Sequence, residues 1–346
     1  MDAMKALVLK EYNKLVYEEV PKPDCGPGDL LVRVMACAIC GSDVQGMDGS
    51  TGRRQPPIIM GHEASGVVEA MGSDVKGFQV GDGITFDSTI FCGECYFCRK
   101  GQVNLCDHRR VLGVSCDEYH QNGALAEYVT IPARIAYRLP KQVSFEQAAM
   151  VEPVSIAVHA VGLCPIAPND TALVVGAGMI GLFIIQVLRI MGCGQIIAVD
   201  LDETKFDLAR QFGATACLNA GNENLNEEIL ALTKGRGADV AFEVVGISPT
   251  VKTAIQGLRK GGSLVLVGNL QAQVDFPLQS VVTRQISVFG SCASSGEYPI
   301  CLDLIASGKV NVDDLISASA PLKEGASWFQ RLYDKEPGLL KVVLKP

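Results

Sequence analysis

Before Glu152, apolar and polar positions trade places over short runs broken by glycine and proline: "MKALVLKE", "LLVRVMACAI", "ASGVVEAMG", "GDGITFD" and "AEYVTIP". Short β-rich runs with frequent turn signals predict a barrel or sandwich. Near Glu152 the texture changes. From "TALVVGAG" onward, near-continuous Val/Ile/Leu runs ("ALVVGA", "QIIAVD", "VAFEVVG", "SLVLVG") alternate with helical patterns ("GLFIIQVLRIMG", "ETKFDLARQFG", "PTVKTAIQGLRKGG"). Strands without polar alternation, separated by helices, predict a parallel sheet covered on both faces. The final stretch is mixed. It suits either a closing segment of the second domain or a return to the first.

Composition supports two packed domains and narrows the partners. The 346 residues suffice for two domains, and 48% of them are apolar. The net charge is −8 with no basic cluster, which argues against a nucleic-acid or anionic-membrane partner. The best apolar run, "GMIGLFIIQVL", is too short to span a bilayer. "MDAMKALVLKEY" has no signal-peptide core, so a cytoplasmic location is expected. In that compartment the 13 cysteines should be thiols or metal ligands.

"ALVVGAGMIGLFIIQ" places Gly176, Gly178 and Gly181 as G-x-G-x-x-G between a strand and a helix. The motif alone is weak; the strand–turn–helix setting strengthens it. The first glycine permits the tight turn, the second admits a pyrophosphate, and the third lets helix and strand approach. The helix N-terminus would face the phosphates. The next strand, "QIIAVD", ends in Asp200, where an acid accepts hydrogen bonds from ribose hydroxyls and repels a 2′-phosphate. That favours NAD over NADP, although Lys205 nearby works against the preference.

Two groups of residues suit metal. Cys92, Cys95, Cys98 and Cys106 have the spacing C-x2-C-x2-C-x7-C. One loop can wrap four thiolates around a tetrahedral zinc. A ferredoxin-type iron–sulfur run begins alike but continues x3-C-P; here the gap is seven residues and Asp107 follows, which favours zinc. Four thiolates close the coordination sphere, so this site is expected to be structural. The second group is dispersed: Cys40 in "ACAICGSD", His62 and Glu63 in "IMGHEASG", and Glu152 in "MVEPVSIAVHA". A Cys, His and carboxylate set leaves a position open, which is the catalytic pattern.

"CGSD", "GHEASGVV", the four-cysteine lobe, "EPVSIAVHA", "VVGAGMIGL" and "AVD" occur in the order found in the zinc-dependent medium-chain dehydrogenases. The chain resembles that family along nearly its whole length, and "GHE" with "EP" resembles its sorbitol (polyol) dehydrogenase branch. The resemblance implies a GroES-like β-barrel catalytic domain over residues 1–153 and 291–346, and a Rossmann domain over 154–290, with the active site in the cleft between them. It implies two zinc ions per chain and NAD. Cys40, His62 and Glu152 look like the core ligands of the catalytic zinc, with Glu63 adjacent and able to bind directly or to exchange with water. Asp43 would hold the free nitrogen of His62. Ser42 would hydrogen-bond the alcohol and relay its proton as hydride leaves for the nicotinamide. Gly176, Gly178, Ile180, Gly181, Asp200, Lys205, Val267 and Gly268 would border the cofactor. A homodimer or homotetramer is implied, as is a polyol, sugar-alcohol or sugar-acid substrate oxidised at a secondary alcohol, free or phosphorylated. A vicinal-diol or threonine-type dehydrogenase is the alternative. A non-catalytic zinc- and nucleotide-binding protein is a more distant one.

The chain departs from that branch near the substrate. Where polyol dehydrogenases commonly carry His-Tyr after the "CGSD" motif, Gln45 and Gly46 stand here. The stretch matching their Arg-Tyr pair is "FGSCASSGEYP", with Ala293 and Ser294. Sorbitol itself is therefore a doubtful substrate. "DGSTGRRQPP" suggests instead that Arg53 or Arg54 meets a phosphate or carboxylate on the substrate.

Overall fold

The computed structural model describes residues 2–346. The chain forms two compact units, Met1–Glu152 with Ser295–Pro346, and Pro153–Ser294.

The first unit is built around the strand Asp29–Ala38. It pairs antiparallel with Glu63–Met71, with Tyr128–Pro132 and, at its end, with Lys341–Lys345. Gly83–Phe86 and Ala136–Arg138 extend the sheet on one side and Ile316–Pro321 on the other. Register shifts between Leu31 and Val32 and between Val34 and Ala36 bend the central strand. Inward positions such as Leu30, Val32, Val68, Ile84, Phe86 and Ile131 make one continuous core with Leu7 and Leu9 of the strand Ala3–Glu11. The alternating pattern of the sequence thus has its expected cause, a sheet with one buried face. The mixed tail returns here: Val343 lies opposite Ala38.

The second unit carries a six-stranded parallel sheet in the order Ala216–Asn219, Gln195–Asp200, Thr171–Val175, Ala238–Glu243, Leu258–Leu266, Ser287–Gly290. Numbered along the chain, this is 3-2-1-4-5-6, the doubly wound order. Every residue of Thr171–Val175 and Ala238–Glu243 is buried, as strands covered on both faces must be. The chain therefore has the expected α/β class: a GroES-like unit joined to a Rossmann unit. No helix among the described residues is long and apolar enough to cross a membrane.

Candidate active site and metal centres

The end of the central strand, the start of its neighbour and the C-terminal strand converge. Cys40 caps the short helix Gly41–Gly46 directly after Asp29–Ala38, and His62 directly precedes Glu63–Met71. One donor atom each from Cys40, His62 and Glu63 lies within 4.8 Å of the others. His62 and Glu63 are buried, at 6% and 1% exposure. A thiolate, an imidazole and a carboxylate converging in a buried place fit a zinc ion and would leave part of its sphere for another ligand.

Three neighbours organise this group. Asp43 Oδ2 lies 3.3 Å from His62 Nδ1, and neither atom has another partner among the described residues. The contact presents the other ring nitrogen as the ligating one. Burial alone would neutralise both groups. The His62 and Arg54 charges nevertheless hold the Asp43 carboxyl well below the usual range. Burial likewise opposes charge on His62, but Asp43 and Cys40 push the ring well above its ordinary value. Ser42 Oγ donates to Cys40 Sγ at 3.3 Å, which places this hydroxyl beside the sulfur.

Lys341 was not singled out from the sequence. Its ammonium donates to both oxygens of Glu63, at 2.9 and 2.7 Å, and to the carbonyl of Ile39 at 3.1 Å. All three donors of the ammonium are used. Burial disfavours the charged amine, but Glu63, with Cys40 and Glu152, more than offsets this, and the Lys341 pKa is raised. The one sequence signal was a lysine opening the apolar run "KVVL" of this strand.

The geometry reorders the carboxylates expected from sequence. Glu63 stands with Cys40 and His62, whereas Glu152 lies outside that group. Glu152 sits in the first turn of Val151–Gly162, and its Oε1 accepts from Ser88 Oγ at 3.5 Å. Burial pushes its carboxyl up to about 7. Nearby, burial raises Asp87 to about 6, and the buried Tyr298 hydroxyl has no partner among the described residues. Neither residue was flagged by any motif. Of the paired arginines, Arg53 is exposed, but Arg54 is buried on Asp43 and is not available to a substrate anion.

The second centre is a loop folded on itself. Cys92, Cys95, Cys98 and Cys106 bring their sulfurs within 4.8 Å of one another. Backbone N–H groups of Cys92 and His108 donate to Cys106 Sγ, and that of Cys95 donates to Cys92 Sγ. Such donors suit thiolates. Backbone donors lower the Cys95 thiol to about 6, while burial and the neighbouring sulfurs push Cys98 to about 12. Four thiolates this close cannot all carry charge without a cation among them, and the donor set fits zinc. Arg134 ties the loop to the unit by two hydrogen bonds to the carbonyl of Phe91, at 2.9 and 2.6 Å.

In the second unit the glycine fingerprint leaves the strand Thr171–Val175. Gly176 has φ +104°, and a Cβ on Gly181 would overlap the Gly176 carbonyl oxygen. Gly178 caps the helix Met179–Ile190, with nothing within 4 Å of where a Cβ would be. These are a turn, a tight helix–strand contact and open space above a helix N-terminus, as a pyrophosphate requires. Ile180 lies in the first turn of that helix. Asp200, at the end of the adjacent strand, accepts from Ala177 N at 2.7 Å and from Asp202 N at 2.9 Å, with Lys205 Nζ at 3.2 Å. Val267 and Gly268 donate their amides to the Glu243 carbonyl, at 2.9 and 3.0 Å, and so stay at the same ends of the strands.

The chain is similar in sequence and fold to known proteins. The family described as alcohol dehydrogenase GroES-like domain matches residues 26–141, and that described as zinc-binding dehydrogenase matches 180–307. The D-xylulose reductase A of Aspergillus niger is 34% identical, over 94% of this chain and 93% of its own. The sorbitol dehydrogenase of Bacillus subtilis (strain 168) is 31% identical, over 99% and 97%. A crystal structure of a zinc-binding dehydrogenase from Sinorhizobium meliloti 1021, bound to NADP, superposes with a TM-score of 0.89 at 31% identity, covering 100% of both chains.

Proposed function

The chain belongs to the zinc-dependent medium-chain dehydrogenases, and from that premise we propose that it oxidises a secondary alcohol of a polyol, sugar alcohol or sugar acid to a ketone, with NAD as acceptor. That it is a dehydrogenase of this family follows from relatives matched along 94% and 99% of its length and from the two family models. The observation that carries the site assignment is the convergence of Cys40, His62 and Glu63 in one buried cluster beside the Ser42 hydroxyl.

Zinc held there would supply Lewis-acid polarisation of an alcohol oxygen. The remaining work falls to the chain's own groups. Asp43 orients His62. Lys341 holds Glu63 and compensates its charge. Ser42 stands where it can take the alcohol's proton. We assign Cys92, Cys95, Cys98 and Cys106 to a structural zinc, and Gly176, Gly178, Gly181 and Asp200 to the nucleotide. Glu152 is not gathered with Cys40, His62 and Glu63, and burial raises its carboxyl to about 7. The polyol class is supported by the relatives named above; a vicinal-diol substrate is the alternative. The reading places the protein in the cytoplasm, where its metal-binding thiols stay reduced.

The test is an NAD-reduction screen over C4–C6 polyols, their phosphates, sugar acids and vicinal diols, with zinc content measured alongside. Turnover of a polyol or sugar acid with two zincs per chain is the expected result. Two zincs with turnover confined to vicinal diols would replace the substrate class, and one zinc without turnover of any alcohol would end the enzyme reading.

Asp200 sets the cofactor preference in this scheme. Its carboxylate offers about four acceptor positions, and three are taken by Ala177, Asp202 and Lys205. The fourth remains for a ribose hydroxyl, and the negative charge repels a 2′-phosphate. Asp200→Asn should shift the ratio of kcat/KM for NAD over NADP toward NADP by about 10-fold, the scale of one charged hydrogen bond. Steady-state kinetics with both cofactors measures it.

We also propose self-association through the edge strand Ser287–Gly290. It ends the six-stranded sheet, Val288 is exposed, and Leu278 and Val282 in the preceding helix Leu278–Thr283 are 64% and 68% exposed. An apolar sheet edge left open is a pairing surface. Light scattering should give at least two chains per particle, and Val288→Lys should move the mass toward one chain.

A further inference from the structure

Arg54 is the most deeply buried arginine side chain near the candidate active site, at 4% exposure, beside a fully buried Asp43. Its Nε and Nη2 both donate to Asp43 Oδ1, at 2.9 and 2.7 Å. Asp43 Oδ2 is thereby left to face His62. Nη2 also lies 3.4 Å from Ser42 Oγ, the hydroxyl that donates to Cys40 Sγ. Nη1 donates to the carbonyl of Arg53 at 2.9 Å. The backbone is fixed as well. Ser115 N donates to the Arg53 carbonyl, and Gln55 N donates to the Ser115 carbonyl. The stem occupies room that Gly46 leaves: a Cβ there would lie 2.5 Å from Arg54 Cγ.

Burying a guanidinium costs several kcal/mol unless its donors are matched, and an apolar residue of like volume fills such a space at no such cost. Here the fork is matched to two different groups, each beside a different metal-binding side chain. We propose that Arg54 is a positioning residue for this centre. Through Asp43 it fixes the ring of His62, and through Ser42 it fixes the hydroxyl beside Cys40, so metal retention and turnover depend on one side chain. The inference rests on the reading of Cys40 and His62 as metal ligands. A lysine cannot replace the fork, because a single ammonium does not span Asp43, Ser42 and the Arg53 carbonyl in that plane.

The test uses the zinc-loaded full chain and three variants: Arg54→Lys, Arg54→Met and Gly46→Ala. The last displaces the guanidinium without altering any polar group. Zinc release to a chelator is measured without substrate. kcat and KM are measured with whichever alcohol the screen identifies, and Tm is recorded for each protein. In Arg54→Lys and Gly46→Ala, the catalytic zinc should leave faster and kcat should fall, each by about 10-fold, as expected for one charged hydrogen bond, with KM for the alcohol changed less than kcat. Arg54→Met should exceed both. If it does not fold, Gly46→Ala still decides the matter. Unchanged zinc release, unchanged kcat per folded chain, or a lowered Tm alone in Gly46→Ala and Arg54→Lys would overturn the proposal. Were the wild type to oxidise no alcohol, the release measurement would still judge Arg54, so the two readings fail separately.

Discussion

Cys40→Ala should abolish turnover in a protein that still folds. Cys40 is one of only three converging donors in its group, and it stands at the N-cap of a six-residue helix rather than inside the core. Removing it leaves His62 and Glu63, and Glu63 is already held by Lys341 on both oxygens. Two protein ligands, one of them restrained, should not retain zinc against a chelator. The polarisation a metal gives an alcohol is worth several kcal/mol; at about 5.5 kcal/mol, its loss lowers kcat by about 10⁴-fold. Metal analysis should fall from two zincs to one per chain, with Tm within a few degrees of wild type. A Cys40→Ala protein with two zincs and more than a tenth of wild-type kcat would refute the assignment.

Cys98→Ser should do the opposite, costing stability before activity. The four sulfurs crowd one loop whose own secondary structure is a single helical turn, Tyr96–Arg99, and a 3-10 turn, Val103–Leu105. None of the helix's residues is buried, so this helical turn adds little to the apolar core. Without the metal, the thiolates have only backbone donors to compensate them. Loss of a structural metal belongs to the large class of stability losses, on the order of 4 kcal/mol. At about 2–4 °C per kcal/mol for units of this size, Tm should fall by about 10 °C. Calorimetry with zinc analysis checks this. A protein with normal Tm and one zinc, in which kcat alone is lost, would mean that the structural and catalytic roles are reversed.

These two cysteines mark what each level of description can reach. The four-cysteine lobe is local: its spacing lies within one stretch, so ligand type, number and closure are legible from the sequence. The glycine fingerprint with Asp200 is legible for the same reason, because a strand, a turn and a helix follow one another. The α/β class comes from periodicity, since alternating and continuous apolar runs report how many faces of each sheet are covered.

Residues brought together across the fold carry a weaker signal. Cys40, His62 and Glu63 were each recognisable through a neighbouring motif. Their grouping, and the displacement of Glu152 from it, depend on how the strands Asp29–Ala38 and Glu63–Met71 end beside each other. Arg54 read as a loop arginine open to a substrate anion, because nothing in "GSTGRRQPP" tells that Gly46 leaves room for its stem or that Asp43 waits there. Lys341 lies 278 positions from Glu63 and meets it only because the C-terminal strand pairs with Asp29–Ala38. The sequence by itself determined the two sheets, the four-cysteine loop and the glycine-rich turn, whose chemistry is contained in local spacing and period. Only the tertiary structure decided which charges compensate one another at the active site. A buried charge is stable only beside its partner, and that proximity is a property of strand pairing rather than of order along the chain.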